Sequence, residues 1–318
     1  VQFVRVLTPV LKERIWGGQV LAELFGVPTT GDPIGEAWLV SDHPAGRTLD
    51  STGRSLADLA PDRSWFPVLI KVLHAQEDLS VQVHPDDEQA KRVGDLGKTE
   101  GWLLLAAEPG ARLCYGHVAP SAQALGTAIA SGDIVSQLRY IAAKEGMYVA
   151  VPPGTVHALC AGTMVLEVQQ ASDTTYRLYD YGRKDSSGHL RTLHVQEALA
   201  VLREPQPAPP AATPPVWQKM AESAEGKAEQ RVLDDNPYFR FSELKLEGAL
   251  AFGAGDHEAL CIIVLDGDVV VETVGSTFGG ASSSFQSGGR AFATCVVEPE
   301  EHVRVVGKAR LGLVTVPL

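Results

Sequence analysis

Four side chains in the first half of the chain have the types and spacing of an open divalent-metal site: Gln82, His84, Glu100 and His157. In Gln82-Val83-His84 the polar residues stand at i and i+2. On a strand both therefore point to one face, and Val81 and Val83 to the other. His157 closes Gly146–His157 (GMYVAVPPGTVH), where a strand runs into a Pro-Gly turn and the returning strand can aim an imidazole inward. Glu100 stands in KTEGW, just before an apolar strand. Two imidazoles, a carboxylate and an amide leave room for water or substrate, the donor pattern of a catalytic zinc ion. Manganese, iron or cobalt accept such N/O donors too. Each residue alone has a blander reading: a hairpin with a buried structural histidine, a polar strand end at a Pro turn, a solvated carboxylate.

These groups need β-structure to position them, and short β-type runs dominate the chain. Residues 65–72, 79–83, 102–106, 147–151 and 163–168 are examples, with Gly and Pro punctuating them. This predicts a sandwich or barrel rather than a βαβ sheet. Three helical patches interrupt it. Residues 86–93 open on acidic groups, with Asp86 and Asp87 read as capping residues. Residues 121–140 repeat Leu125/Ile129 and Ile134/Leu138 at i, i+4, and residues 194–203 form the third patch. The fold class is mainly β: a sandwich with a small helical insertion (about 86–98 and 118–143) and a second C-terminal β-sandwich. The expected organisation is a catalytic domain over 1–203, a Pro/Ala-rich semi-rigid linker over 204–216, and a C-terminal domain over 217–318 without its own metal. In that last segment His257 and His302 are isolated, and Gly275–Gly289 reads as a mobile loop.

Bulk properties narrow the function. A net charge of −12 argues against a nucleic-acid-binding surface but leaves room for a local basic pocket and a small anion. No apolar run is long enough to cross a bilayer, and no signal pattern is visible. The four cysteines form no C-x-x-C pair and no disulfide framework, which fits a reducing cytoplasm. GDLGKT (94–99) is not a P-loop, because the required first glycine falls on Arg92. Trp16 and Trp38 are read as core aromatics in preference to pocket walls.

Residues 146–157 fit G-x5-P-x-G-x2-H, the second sequence motif of cupins. Together with IWGG (15–18), GEAWLVSDHP (35–44), PVLIKVLHAQEDLSVQVHPDD (67–87), GKTEGWLLL (97–105) and VLEVQQASDTTYRLYDYGR (165–183), the chain resembles type I phosphomannose isomerase, in its shorter bacterial branch. The resemblance implies a cupin jelly-roll fold and a zinc-dependent isomerase of mannose 6-phosphate and fructose 6-phosphate, with one Zn2+ per chain. It implies Gln82, His84, Glu100 and His157 as metal ligands, and Lys71, Lys98, Glu167 and Arg177 as further active-site groups. The sequence departs from longer family members at Leu159, where they carry tyrosine, and at Thr174, where they carry asparagine.

Moving a proton between C1 and C2 of a sugar needs a base, a means of stabilising the oxyanion and a hold on the phosphate. Lys71 lies in the apolar run PVLIKVL, where an ammonium is costly unless paired. Lys98 shares a strand face with Glu100. Arg177 could stabilise the enediolate or grip phosphate, or it could brace a loop. Glu167, a metal-bound hydroxide and a group near His84 compete for the role of base, and a Glu167–Arg177 salt bridge is the structural alternative. Two other classes stay open: a cupin metalloenzyme such as a dioxygenase, and a non-catalytic sugar-binding cupin.

Overall fold

A computed structural model describes residues 4–28, 33–185, 187–209, 215–223, 225–274 and 284–318. The chain divides into two compact units. One comprises Val1–Val10, Trp38–Ile70 and Pro215–Leu318, the other Leu11–Ala37 and Lys71–Pro214.

The first unit carries a nine-stranded sheet whose path runs Gln218–Ser223, Gly226–Asp235, Arg240–Gly253, His302–Pro317, Glu258–Thr273, Thr294–Val297, Val4–Thr8 and Leu49–Asp50, with Ser284–Gln286 paired to Glu258–Thr273. The N-terminal strand belongs here because Val4–Val6 pair antiparallel with Cys295–Val297. Alternating Leu244, Leu246, Ile262, Val264, Val303 and Val305 build its core. Residues 210–214 of the Pro-rich stretch and 275–283 of the Gly/Ser-rich stretch lie outside the described residues. Ser284–Gln286, read as loop, form a strand.

A β-sandwich accounts for most of the second unit. A six-stranded sheet has the order Tyr148–Val151, Glu100–Ala107, Thr163–Gln170, Val68–Ala75, Ile34–Val40, Val10–Gly18. A five-stranded sheet has the order Tyr176–Tyr179, Val81–Val83, His157–Leu159, Arg112–His117, Leu138–Ala142. Leu73, Trp102, Leu104 and Val149 from the first meet Leu113, Tyr115 and Leu159 from the second in one buried cluster. The outer face of the five-stranded sheet (Val81, Val83, Ala158, Leu178) packs instead on Leu125, Ile134, Ala198 and Val201 of the helices. Alternation then forces Gln82, His157 and Arg177 to the inner face.

The helices follow their end signals. Asp86 caps Asp87–Ala90 in a reciprocal box with Gln89. Ser121 caps Ala122–Ser131 by accepting from the Ala124 N–H. The expected single helix over 121–140 is broken: Gly132 adopts φ 78° and ends the first piece, Ile134–Gln137 makes a separate turn, and Leu138–Ala142 joins the sheet. Glycine supplies that left-handed cap at no steric cost. No helix among the described residues is long and apolar enough to cross a membrane.

Candidate active site

Strand register brings the distant ligand candidates together. His157 pairs directly with Gln82, and Gln82 directly with Arg177, so three strands put three polar side chains in one row on one face. On the facing sheet Glu100 lies opposite Gln169, and Trp102 opposite Glu167. His84 follows its strand by one residue and is 1% exposed.

The imidazoles of His84 and His157 converge on Glu100. His157 Nε2 is 3.2 Å from Glu100 Oε1, and His84 Nε2 is 3.5 Å from Oε2. The two Nε2 atoms are 3.1 Å apart. Each Nδ1 faces a backbone carbonyl, that of Thr174 at 2.9 Å for His84 and that of Thr155 at 2.8 Å for His157. These contacts place the ring protons on Nδ1 and leave two Nε2 lone pairs facing one another. Such an arrangement repels itself, and Glu100 Oε1 is buried without a hydrogen-bond donor while Oε2 faces the Lys98 ammonium. A divalent cation would satisfy all of these atoms at once. The Gln82 amide lies 3.4 Å from His157 Nε2, and a flip of its end group would present its oxygen to the same spot. Gln82, His84, Glu100 and His157 thus fit a metal ion.

Electrostatics suits the same use. Burial holds His157 down to about 4. Burial, then Lys98 and His157, holds His84 well below the usual histidine range. Both rings are neutral at pH 7, the state a ligand requires. Burial pushes the Glu100 carboxyl up, against the pull of Lys98. Burial disfavours the Lys98 ammonium, yet Glu100, Glu167 and Asp173 outweigh it and keep Lys98 above its ordinary value. Lys98 Nζ sits 3.2 Å from Glu100 Oε2 and 3.3 Å from His84 Nε2.

Beside this cluster opens a cavity of about 420 Å³, lined among others by Gln82, Lys71, Lys98, Glu167 and Arg177. Glu167 pairs with Lys71 at 3.2 Å and accepts from Trp102 Nε1 at 2.9 Å. Burial raises its pKa, but Lys71, Lys98 and Trp102 together bring it below the usual carboxylate value. The alternative of a Glu167–Arg177 salt bridge is therefore not what forms. Leu159 is buried in the apolar cluster, and Thr174 offers its backbone carbonyl to His84. Neither departure from the longer family members supplies a side chain to the ligand group.

Arg14, Arg191 and His194 of the wall lie outside the segments that carry the family resemblance, whereas Trp16 and Glu36 lie within them. Arg14, Glu36, Arg191 and His194 line the cavity, and so does Trp16, which is 3% exposed. Trp38 is fully buried, as expected for a core aromatic. Arg14 Nε binds Glu36 at 2.7 Å. Arg14 and Trp16 stand at i and i+2 of one strand, a spacing that puts both on one face. Glycine makes their placement possible: a Cβ on Gly35 would come within 2.6 Å of the Trp16 ring and 2.7 Å of Arg14 Cβ. Gly35→Ala is expected to destabilise the fold by about 1–3 kcal/mol and to lift Trp16 from the cavity wall. A thermal melt and the near-UV dichroism of the variant would measure both.

Residues 4–100 match the family model for the phosphomannose isomerase type I catalytic domain. The chain is 42% identical over 261 residues to the "Probable mannose-6-phosphate isomerase GmuF" of Bacillus subtilis, covering 77% of this chain and 81% of that one. A mannose-6-phosphate isomerase of Streptococcus mutans is 39% identical over 254 residues, with 76% and 78% covered. The chain belongs to the mannose-6-phosphate isomerase family. The crystal structure of the mannose 6-phosphate isomerase from Bacillus subtilis superposes with a TM-score of 0.84 at 31% identity, over 98% of this chain and 99% of that one. Family membership therefore extends to the whole architecture, and the chain's His84–Glu100–His157 group is the feature within it that suits a metal ion.

Proposed function

We propose that this chain interconverts mannose 6-phosphate and fructose 6-phosphate, with a zinc ion held by Gln82, His84, Glu100 and His157. The observation that carries the reading is the buried cluster of two neutral imidazoles and a carboxylate, all within ligand distance of one another, beside a cavity whose lining includes Lys71, Lys98, Arg177 and Arg191 as well as carboxylates. An ion bound there would act as a Lewis acid toward the sugar's carbonyl and hydroxyl oxygens.

The protein's own groups supply the remainder. Lys98, kept charged by its carboxylate neighbours, is placed to hydrogen-bond an oxygen as negative charge develops on it. Glu167 is the ionised carboxylate of the wall and is assigned the proton that moves between C1 and C2. Its depressed pKa makes it a transient acceptor. Protonation weakens its ion pair with Lys71, so return of the proton to the neighbouring carbon is favoured. Arg177, in register with Gln82, faces the anionic substrate. The reading assigns the chemistry to residues 1–203 and a structural role to 217–318. It also places the protein in the cytoplasm, where its four free, buried cysteines stay reduced.

The test is a coupled assay for fructose 6-phosphate formed from mannose 6-phosphate, before and after treatment with a chelator. Turnover is expected to disappear with the chelator and to return with zinc. A zinc-loaded protein that leaves mannose 6-phosphate unchanged would remove the substrate assignment.

A further inference from the structure

The wall of the cavity that carries Arg177 holds a second guanidinium and an imidazole donor, which the proton transfer does not use. Three bonds lay residues 192–194 against the strand Tyr176–Tyr179. The His194 N–H donates to the Arg177 carbonyl at 2.8 Å, the Arg177 N–H donates to His194 Nδ1 at 3.3 Å, and Arg177 Nη1 donates to the Thr192 carbonyl at 3.3 Å. This pairing brings Arg191 and His194 into the cavity lining next to Arg177.

The donors on this wall are underused. Among the described residues Arg177 has no carboxylate within salt-bridge distance, and its Nε is buried without a partner. Arg191 reaches Asp180 through Nη1 alone, at 3.2 Å, and Asp180 is already shared with Arg183. Because His194 Nδ1 accepts from the Arg177 N–H, a neutral His194 carries its proton on Nε2 and is a donor there. Arg14, also in the lining, is already neutralised by Glu36. Asp185, a lining carboxylate, is engaged by the N–H groups of Ser187 and His189 in its own turn. Burial lowers both guanidinium pKa values, and for Arg191 the neighbouring Arg177 is the next cause. Two adjacent, part-buried cations with spare donors are stabilised by a dianion between them. Guanidinium forks match phosphate oxygens in geometry as well as charge.

We propose that Arg191 and His194 extend Arg177 into a single phosphate seat that selects phosphorylated over unphosphorylated hexose. The identity of the sugar rests on the isomerase reading above; the anion seat itself does not.

The test uses the full, metal-loaded chain and two probes. In steady-state assays Arg191→Gln is expected to raise KM for mannose 6-phosphate about 10- to 100-fold with little change in kcat, since the lost contact binds ground state and transition state alike. Turnover of unphosphorylated mannose should be unaffected. In calorimetric titration inorganic phosphate should bind Arg191→Gln more weakly by a similar factor, and His194→Gln more weakly too. Arg191→Lys keeps a cation for Asp180 and guards against misfolding; it should lose phosphate affinity to a smaller degree. Unchanged KM and unchanged phosphate affinity in Arg191→Gln would overturn the proposal. So would an equal loss on both sugars, which would mark a structural role. If the wild type fails to turn over mannose 6-phosphate, the isomerase reading falls, and the phosphate titration alone decides the seat: no binding, or equal binding to wild type and variant, would sink it.

Discussion

Glu100→Gln is expected to lower kcat/KM for mannose 6-phosphate by about 10²- to 10³-fold, the cost of removing one preorganised charge from a buried catalytic site. Glutamine keeps the shape of the side chain, so the strand Glu100–Ala107 and its pairing have no steric reason to change. What disappears is the anion facing both imidazoles, at 3.2 and 3.5 Å. Two neutral rings and two amides are a weak set for a divalent ion. The purified variant should carry well under one metal per chain by elemental analysis. A variant that retained full metal content and wild-type turnover would show that Glu100 is not a ligand.

The second large effect concerns Lys71 and Glu167, each 4% exposed and 3.2 Å apart. Lys71→Met is expected to destabilise the protein by up to about 3–5 kcal/mol, because it removes the salt-bridge partner of a buried carboxylate and leaves Lys98 and the Trp102 N–H to offset its charge. Lys71→Met/Glu167→Gln removes both charges, while glutamine Oε1 can still accept from Trp102. Most of the stability should return in the double variant, giving a coupling energy of a few kcal/mol between the two sites by denaturant titration. Activity should not return, because Glu167, the proposed proton acceptor, is gone. If stability and activity recovered together, the pair would be structural support alone and Glu167 would lose its assignment as base.

The spacing of the candidate ligands, the turn before His157 and the start of the helix at Asp86 are legible in the sequence, because each is local. Period-2 alternation placed Val81 and Val83 opposite Gln82, and the structure packs those valines against helices on the outer face. Asp86 announces a helix start by a side chain that caps its own neighbours, and the structure shows Ser121 doing the same for the next helix. The i, i+4 apolar spacing predicts one helix over 121–140 because it continues across Gly132, whose left-handed backbone stops the helix whatever follows.

Only the tertiary structure decided which charges meet. Lys71 could have served Glu36, Glu100 or Glu167, and Glu167 could have served Arg177. The Trp102–Glu167 strand register and the facing of the two sheets settle both on one pair. Arg191 and His194 lie in a segment with no motif of its own, and they reach the cavity because hydrogen bonds to the Arg177 backbone and side chain hold residues 192–194 there. Local propensity acts over a few residues, so it reveals strands, turns and caps. A site assembled from side chains as far apart as His84 and His157 depends on strand pairing and sheet packing, which no short window of sequence contains.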